Sequence, residues 1–185
     1  MQWVDDVLGF WFEELKPEDW FSGAVEVDDA IALRFAALRQ AVKESPPSIN
    51  QFDARGHLAT VVVLDQFSRN LFRGRAEAFA ADPVALTYAF HAIAQGLDAA
   101  MVMSERHFLY MPFMHAEDMK LQDRSVELFA RLGQPDLLGY AEQHRAVIAR
   151  FGRFPARNAA LGRDSTPAER EYLESLTHKD AGARY

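Results

Sequence analysis

The stretch Gly56-His57-Leu58-Ala59-Thr60-Val61-Val62-Val63-Leu64-Asp65-Gln66-Phe67-Ser68-Arg69-Asn70-Leu71-Phe72-Arg73-Gly74 decides how this chain is read. Its first half is apolar almost all round. The β-branched run Val61-Val62-Val63 lies in a helical frame set by Leu58 and Leu64, so a helix is predicted rather than a strand. Wound at about 100° per residue, Asp65, Gln66, Arg69, Asn70 and Arg73 fall within an arc of roughly 140°. One turn earlier that side carries Leu58, Ala59 and Val62, so the polar stripe continues a face that reads as buried. Gly74 is placed to accept a left-handed turn after the last residue.

Working outward, the neighbouring segments are also helical. Trp3, Val4, Val7, Leu8, Phe10, Trp11 and Leu15 recur at helical spacing and predict an opening helix that stops before Pro17. A second helix from Asp28 or Asp29 to Glu44 presents Ile31, Phe35, Leu38 and Val42, and Ser45-Pro46-Pro47-Ser48 ends it. Asp82 reads as an N-cap before Pro83, opening a helix that stops near Gly96. Ser104 is expected to cap the next, with a break or kink at Pro112 and a new helix running to Gly133. Pro135 opens another that ends at Gly152, and Thr166-Pro167-Ala168-Glu169 forms a capping box for a last short one. No segment sustains strand alternation. The expected fold is all-α, antiparallel helical hairpins with roughly eight to nine helices.

Composition narrows the classes. A chain of 185 residues, 49% hydrophobic, suits one well-filled core, so a single domain spanning 1–185 is expected. The net charge of −7 argues against a general nucleic-acid binder. There is no cysteine, hence no disulfide framework, thiolate chemistry or Cys-ligated zinc. No apolar run approaches the roughly 20 residues of a membrane span, and the acidic start is unlike a signal peptide, so a cytoplasmic protein without membrane contact is expected. No motif calls for a cofactor or a resident metal: HExxH, the phosphate-binding GxxxxGK[ST] and the nucleophile elbow are all missing.

Three polar constellations remain. In the first, Asp65 and Arg69 stand at i, i+4 with Arg73 one turn on. A solvated face would explain them, yet this stripe carries neither Lys nor Glu, the usual occupants of such a face. The sharper reading has Arg69 and Arg73 presenting guanidinium forks to a carboxylate or phosphate, with Asp65, Gln66 and Asn70 orienting them. The second is Phe108-Leu109-Tyr110-Met111-Pro112-Phe113-Met114-His115-Ala116-Glu117-Asp118, an apolar run that ends abruptly in ionisable groups. His115 with Glu117 and Asp118 suits an acid/base pair or part of a metal site; the plainer reading has an acid capping the next helix. The third is His144-Arg145 followed by Arg150-Phe151-Gly152-Arg153-Phe154-Pro155-Ala156-Arg157-Asn158, an arginine-rich corner that either satisfies helix-end carbonyls or cradles an anion. His57, His91, His107 and His178 read as surface or packing residues, lacking an acid or a second His at ligand spacing.

Taken together with Ala54-Arg55-Gly56-His57-Leu58, the Val7-Leu8-Gly9-Phe10-Trp11-Phe12 opening and Leu161-Gly162-Arg163-Asp164-Ser165-Thr166-Pro167, these motifs resemble a bacterial family of uncharacterised proteins. The resemblance implies a tetratricopeptide-like helical fold and carries no established activity. The family pattern at the corner reads Phe-Pro-His-Arg-Asn, whereas this chain has Phe154-Pro155-Ala156-Arg157-Asn158. A methyl group neither coordinates a metal nor transfers a proton, which moves the emphasis from histidine to arginine.

The leading expectation is a binding protein in which Arg69, Arg73, Arg153 and Arg157 gather a small anionic ligand or an acidic peptide group. Asp65, Gln66, Asn70 and Asn158 would orient it, with Tyr110, Phe113 or Phe151 as apolar walls and His115, Glu117 and His144 at the margin. The alternatives are a hydrolase or lyase using His115 and His144 with Asp65, Glu117 or Asp118, metal-dependent or not, and a peptide-binding scaffold whose polar motifs only lock the stack. The residues do not specify an oligomeric state.

Overall fold

A computed structural model describes residues 1–176. His178, read above as unremarkable, lies outside the described residues. The chain divides into two compact units, Met1–Arg73 with Glu77–Pro112, and Gly74–Ala76 with the chain from Phe113 onward. Among the described residues all regular structure is helical, in eight rods, and no strand occurs.

In the first unit, helix α1 (Gln2–Gly9) continues as a π-helical segment Phe10–Glu14, closed by Leu15 N–H donating to the Phe10 carbonyl at 3.1 Å. Helix α2 (Val25–Glu44) starts earlier than the apolar spacing predicts. Ala24 turns the chain there, and Val27 adds one more buried residue to the inner face. The deciding stretch forms a rod in three parts: α3 (Ala54–Val61), a π-helical segment Val62–Phe67, and α4 (Ser68–Leu71). Asp53 caps it, accepting from Gly56 N–H at 2.9 Å. The rod ends before Arg73, and Gly74 takes the left-handed conformation at φ 73°.

Helix α5 (Asp82–Ala94) packs against α3, and so does α1. Asp82 is the first residue of α5 rather than its cap, and its carboxylate is engaged by Arg69. The core gathers Phe10, Trp11, Phe35, Phe67 and Phe108 in edge and tilted ring contacts 5.0–6.1 Å apart. Arg39 of α2 is buried in this unit, donating to Ser68 Oγ and to the Glu77 carbonyl, both at 2.9 Å, with its guanidinium over Phe72.

Helix α6 (Met103–Met114) differs from the sequence reading at both ends. Ser104 does not cap it, and Pro112 lies inside it without ending it. The break falls instead at residues 115–118. There the buried Gln122 amide donates to the Met114 and Ala116 carbonyls, 2.7 Å each, and satisfies helix-end acceptors that would otherwise be orphaned.

In the second unit, α7 (Met119–Ala130) and α8 (Pro135–Phe151) form a hairpin closed by a short turn at Gly133, with Arg145 reaching back to Asp123. Gly152, at φ 69°, ends α8 as its spacing predicts. Val147, Ile148 and Phe154 form the local core, flanked by Met119, Phe151 and Tyr172. Helix α9 (Pro167–Ser175) opens with the expected capping box, Glu169 N–H to Thr166 Oγ1 at 3.2 Å and Thr166 N–H to Glu169 Oε2 at 2.7 Å.

Candidate functional site

The polar stripe of the first unit divides into two clusters. Asp65 and Gln66 sit in the π-helical segment, both buried, and Gln66 Nε2 donates to Asp65 Oδ2 at 2.6 Å. Arg69 Nη1 lies 3.0 Å from Asp65 Oδ1, and both its terminal nitrogens reach Asp82 at 3.1 Å. Burial alone would lower the Arg69 pKa, but the facing charges of Asp65 and Asp82 outweigh it and hold the guanidinium charged. One turn on, Asn70 donates to Asp28 Oδ1 at 2.7 Å, and Arg73 grips the same carboxylate through Nε and Nη2 at 2.6 and 2.9 Å. The 140° arc, drawn at about 100° per residue, assumed one uninterrupted α-helix. The wider π winding and the end of the rod at Leu71 turn Arg69 toward α5 and Arg73 toward α2. Tyr110, expected as an apolar wall, is buried with its hydroxyl donating to Asp98 Oδ2 at 2.6 Å.

Two histidines set aside in the sequence meet in this unit. His57 is fully buried, its Nδ1 2.8 Å from the Asp53 carbonyl and its Nε2 2.9 Å from His91 Nδ1. The rings are near-parallel with centroids 5.1 Å apart. Burial lowers the His57 pKa more than the Asp53 carbonyl raises it, and the neighbouring His91 lowers it further. Their wide separation along the chain hid the pair. The available signal was a histidine on a helix that is otherwise apolar.

In the second unit, His115 and His144 come together, both buried, with ring centroids 6.3 Å apart. His144 Nδ1 donates to the Tyr140 carbonyl at 2.8 Å, and Phe154 meets its ring edge-on. Asp118 does what the plainer reading expects, capping α7 by accepting from Lys120 and Leu121 N–H. Glu117 turns away to Arg163, which donates to both carboxylate oxygens at 2.7 and 2.9 Å, and accepts from Phe154 N–H at 2.7 Å. Burial pushes the Glu117 pKa up, but Arg163, the Phe154 amide and Arg157 more than reverse it. Arg163, which the sequence reading left without a role, is the hub of this unit, binding Glu117, Asn158 Oδ1 and the Phe154 carbonyl. Among the described residues no group of three or more His, Asp or Glu side chains is placed to hold a metal ion.

The arginine-rich corner follows from the end of α8. Arg153 donates to both oxygens of the buried Glu169 at 2.7 and 2.9 Å and to the Asp164 carbonyl at 2.8 Å. The Arg153 guanidinium, with the Thr166 amide, holds the Glu169 carboxyl down at about 2. Arg157 is buried with its guanidinium 4.6 Å over the Phe154 ring, and Asn158 donates toward Ser165 Oγ and Glu169. Beside them opens a groove of about 510 Å³ lined by Arg150, Phe151, Arg153, Thr166, Ala168 and Glu169. Arg150 lies 4.6 Å over Phe151 and 6.0 Å from Tyr172, and no carboxylate among the described residues pairs with it.

The fold and these clusters define an all-helical protein with helix-end polar networks and no helix, among the described residues, long and apolar enough to cross a membrane. Residues 7–176 match the family of bacterial proteins of unknown function DUF924, and the chain belongs to it. It is also similar to a solved structure, a protein of unknown function from Agrobacterium tumefaciens, at 39% identity and a TM-score of 0.86, over 94% of this chain and 97% of that one. Among curated proteins none matches the chain.

Proposed function

We propose that the chain is a helical binding protein whose second unit takes a small anionic ligand in the groove between α8 and α9. Arg150 carries this reading. Arg69, Arg73, Arg153 and Arg163 are each matched by a protein carboxylate, whereas Arg150 is held in place by aromatic rings. Stacking fixes the plane of a guanidinium and leaves its N–H donors for a carboxylate or phosphate. Glu169 already neutralises Arg153, so among the described groove residues Arg150 supplies the charge that no carboxylate offsets. In this reading Asp65, Gln66, Arg69, Asn70, Arg73, Glu117, Arg157 and Asn158 frame the fold, and Arg153 shapes the groove wall. The acidic, cysteine-free composition suits a cytoplasmic setting. Calorimetric titration with succinate and with inorganic phosphate tests it. Saturable binding to either probe that weakens about tenfold or more in Arg150→Ala is expected, since a charge-assisted bond contributes about 1.5–3 kcal/mol. Absence of saturable binding to both probes contradicts it.

A second reading rests on His115 and His144, whose proximity and burial suit proton transfer on a hydrolase or lyase substrate. An ester, amide and phosphoester hydrolysis screen of the wild type against His115→Ala and His144→Ala tests it. Turnover lost in either variant supports it, and no turnover in the wild type counts against it.

A further inference from the structure

The first unit has a groove of its own, about 280 Å³, lined by Asn50, Phe52, His91, Gln95 and Leu97. One wall is the end of a hydrogen-bonded chain that neither functional reading uses. The Asp53 carbonyl can only accept, so His57 Nδ1 carries the hydrogen. Burial keeps the His57 ring neutral, which makes its Nε2 a bare acceptor. His91 Nδ1 must then donate to it across 2.9 Å. A neutral His91 so oriented ends in a lone pair on Nε2, and no hydrogen bond among the described residues uses that atom. The carbonyl, His57 and His91 therefore fix a tautomer, and the imidazole that lines the groove is an acceptor.

The aromatic wall is equally determined. A Cβ at Gly56 would lie 2.5 Å from the Phe52 ring, so only glycine lets that ring rest against the start of α3. Trp3 and His57 meet Phe52 edge-on at 5.9 and 6.2 Å and hold it there. Asn50 and Gln95 add amides that both donate and accept, and Leu97 adds an apolar contact.

We propose that this groove binds a small planar molecule bearing an N–H or O–H donor. Its ring lies on Phe52, its donor meets His91 Nε2, and the Asn50 and Gln95 amides read its remaining polar atoms. The site shares no residue with the Arg150 groove, so the two stand or fall separately.

Nitrogen-15 and proton NMR of the full chain tests it, with nicotinamide and 4-hydroxybenzamide as ring-and-donor probes. In the free protein His57 and His91 are both expected as Nδ1–H tautomers. Either probe should shift the His91 and Phe52 resonances saturably, and His91→Phe should weaken that binding about tenfold, the loss of one buried hydrogen bond with its partner stranded. His57→Gln, which unlocks the tautomer without removing the acceptor, should weaken it less. A His91 Nε2–H tautomer in the free protein, or no saturable shift with either probe, overturns the proposal; Arg150→Ala should leave the shifts unchanged.

Discussion

In the first unit Arg69 sits between Asp65 and Asp82, deep in the rod-to-helix contact, with its charge matched on both sides. In the second unit Arg150 lies 4.6 Å over Phe151 and 6.0 Å from Tyr172 beside a groove, with no acid paired to it among the described residues. The two side chains are chemically identical, and their surroundings differ in charge and burial. A buried guanidinium between carboxylates is costly to disturb, because removing one partner strands the other without water. A guanidinium stacked on rings is held flat and oriented, and its hydrogen-bonding capacity is unspent. In the function proposed above, the polar stripe that marks the sequence serves as a frame, and recognition would rest on an arginine that the stripe does not contain.

Breaking the frame should produce the largest effect. Arg69→Met removes the cation facing the fully buried Asp65 and is expected to lower unfolding free energy by about 3–5 kcal/mol, read from urea denaturation. A loss below about 1 kcal/mol would place the pair with ordinary surface pairs. Glu169→Gln comes next. It weakens a capping box and a bidentate pair together, for a cost of about 1–2 kcal/mol. The Glu169 carboxyl is held at about 2 against an ordinary 4.5, so its contribution is fully present above that ordinary value and lost as pH falls toward about 2. The variant should accordingly show a shallower acid limb in its thermal melts.

The histidine pair should give a smaller effect of the same sign, placed nearer neutral pH. His57 binds a proton less readily folded than unfolded, so below its ordinary value of 6.5 the unfolded chain takes up more protons. Stability should fall as pH drops through that window, from about pH 7.5 to about pH 5.5. His57→Gln should flatten that slope, and an unchanged slope would mean that His57 is not held neutral. The smallest effect is expected for Ala156→His, which restores the family's residue at the partly exposed corner. It should change stability by no more than about 0.5 kcal/mol.

The helical frame was legible because its signals are local. Pro83, Pro135, Thr166 with Glu169, Gly96 and Gly152 stand where helices start and stop, and each acts within one turn of itself. The π-helical winding at Val62–Phe67 was not legible, and it is what splits the stripe. Pro112 also misled, because Gln122 meets the carbonyls that a break would expose and fixes the helix end beyond the proline. Partners were the least readable part. Asp28, Asp82, Glu169 and Arg163 carry no local mark of the side chains they bind, and the His57–His91 contact joins residues far apart in the chain. Arg150 carries no local mark of its own either, since its contact with Tyr172 joins α8 to α9.

The contrast between the two arginines is tested most directly by comparing Arg150→Ala with Arg69→Met in one pair of experiments, urea denaturation and calorimetric titration with succinate and phosphate. Arg150→Ala is expected to lose about tenfold or more in affinity while stability falls by no more than about 1 kcal/mol, the worth of an exposed cation–π contact. Arg69→Met should lose stability and, where folded, keep its affinity. An Arg150→Ala protein that binds both probes as the wild type does would contradict the assignment.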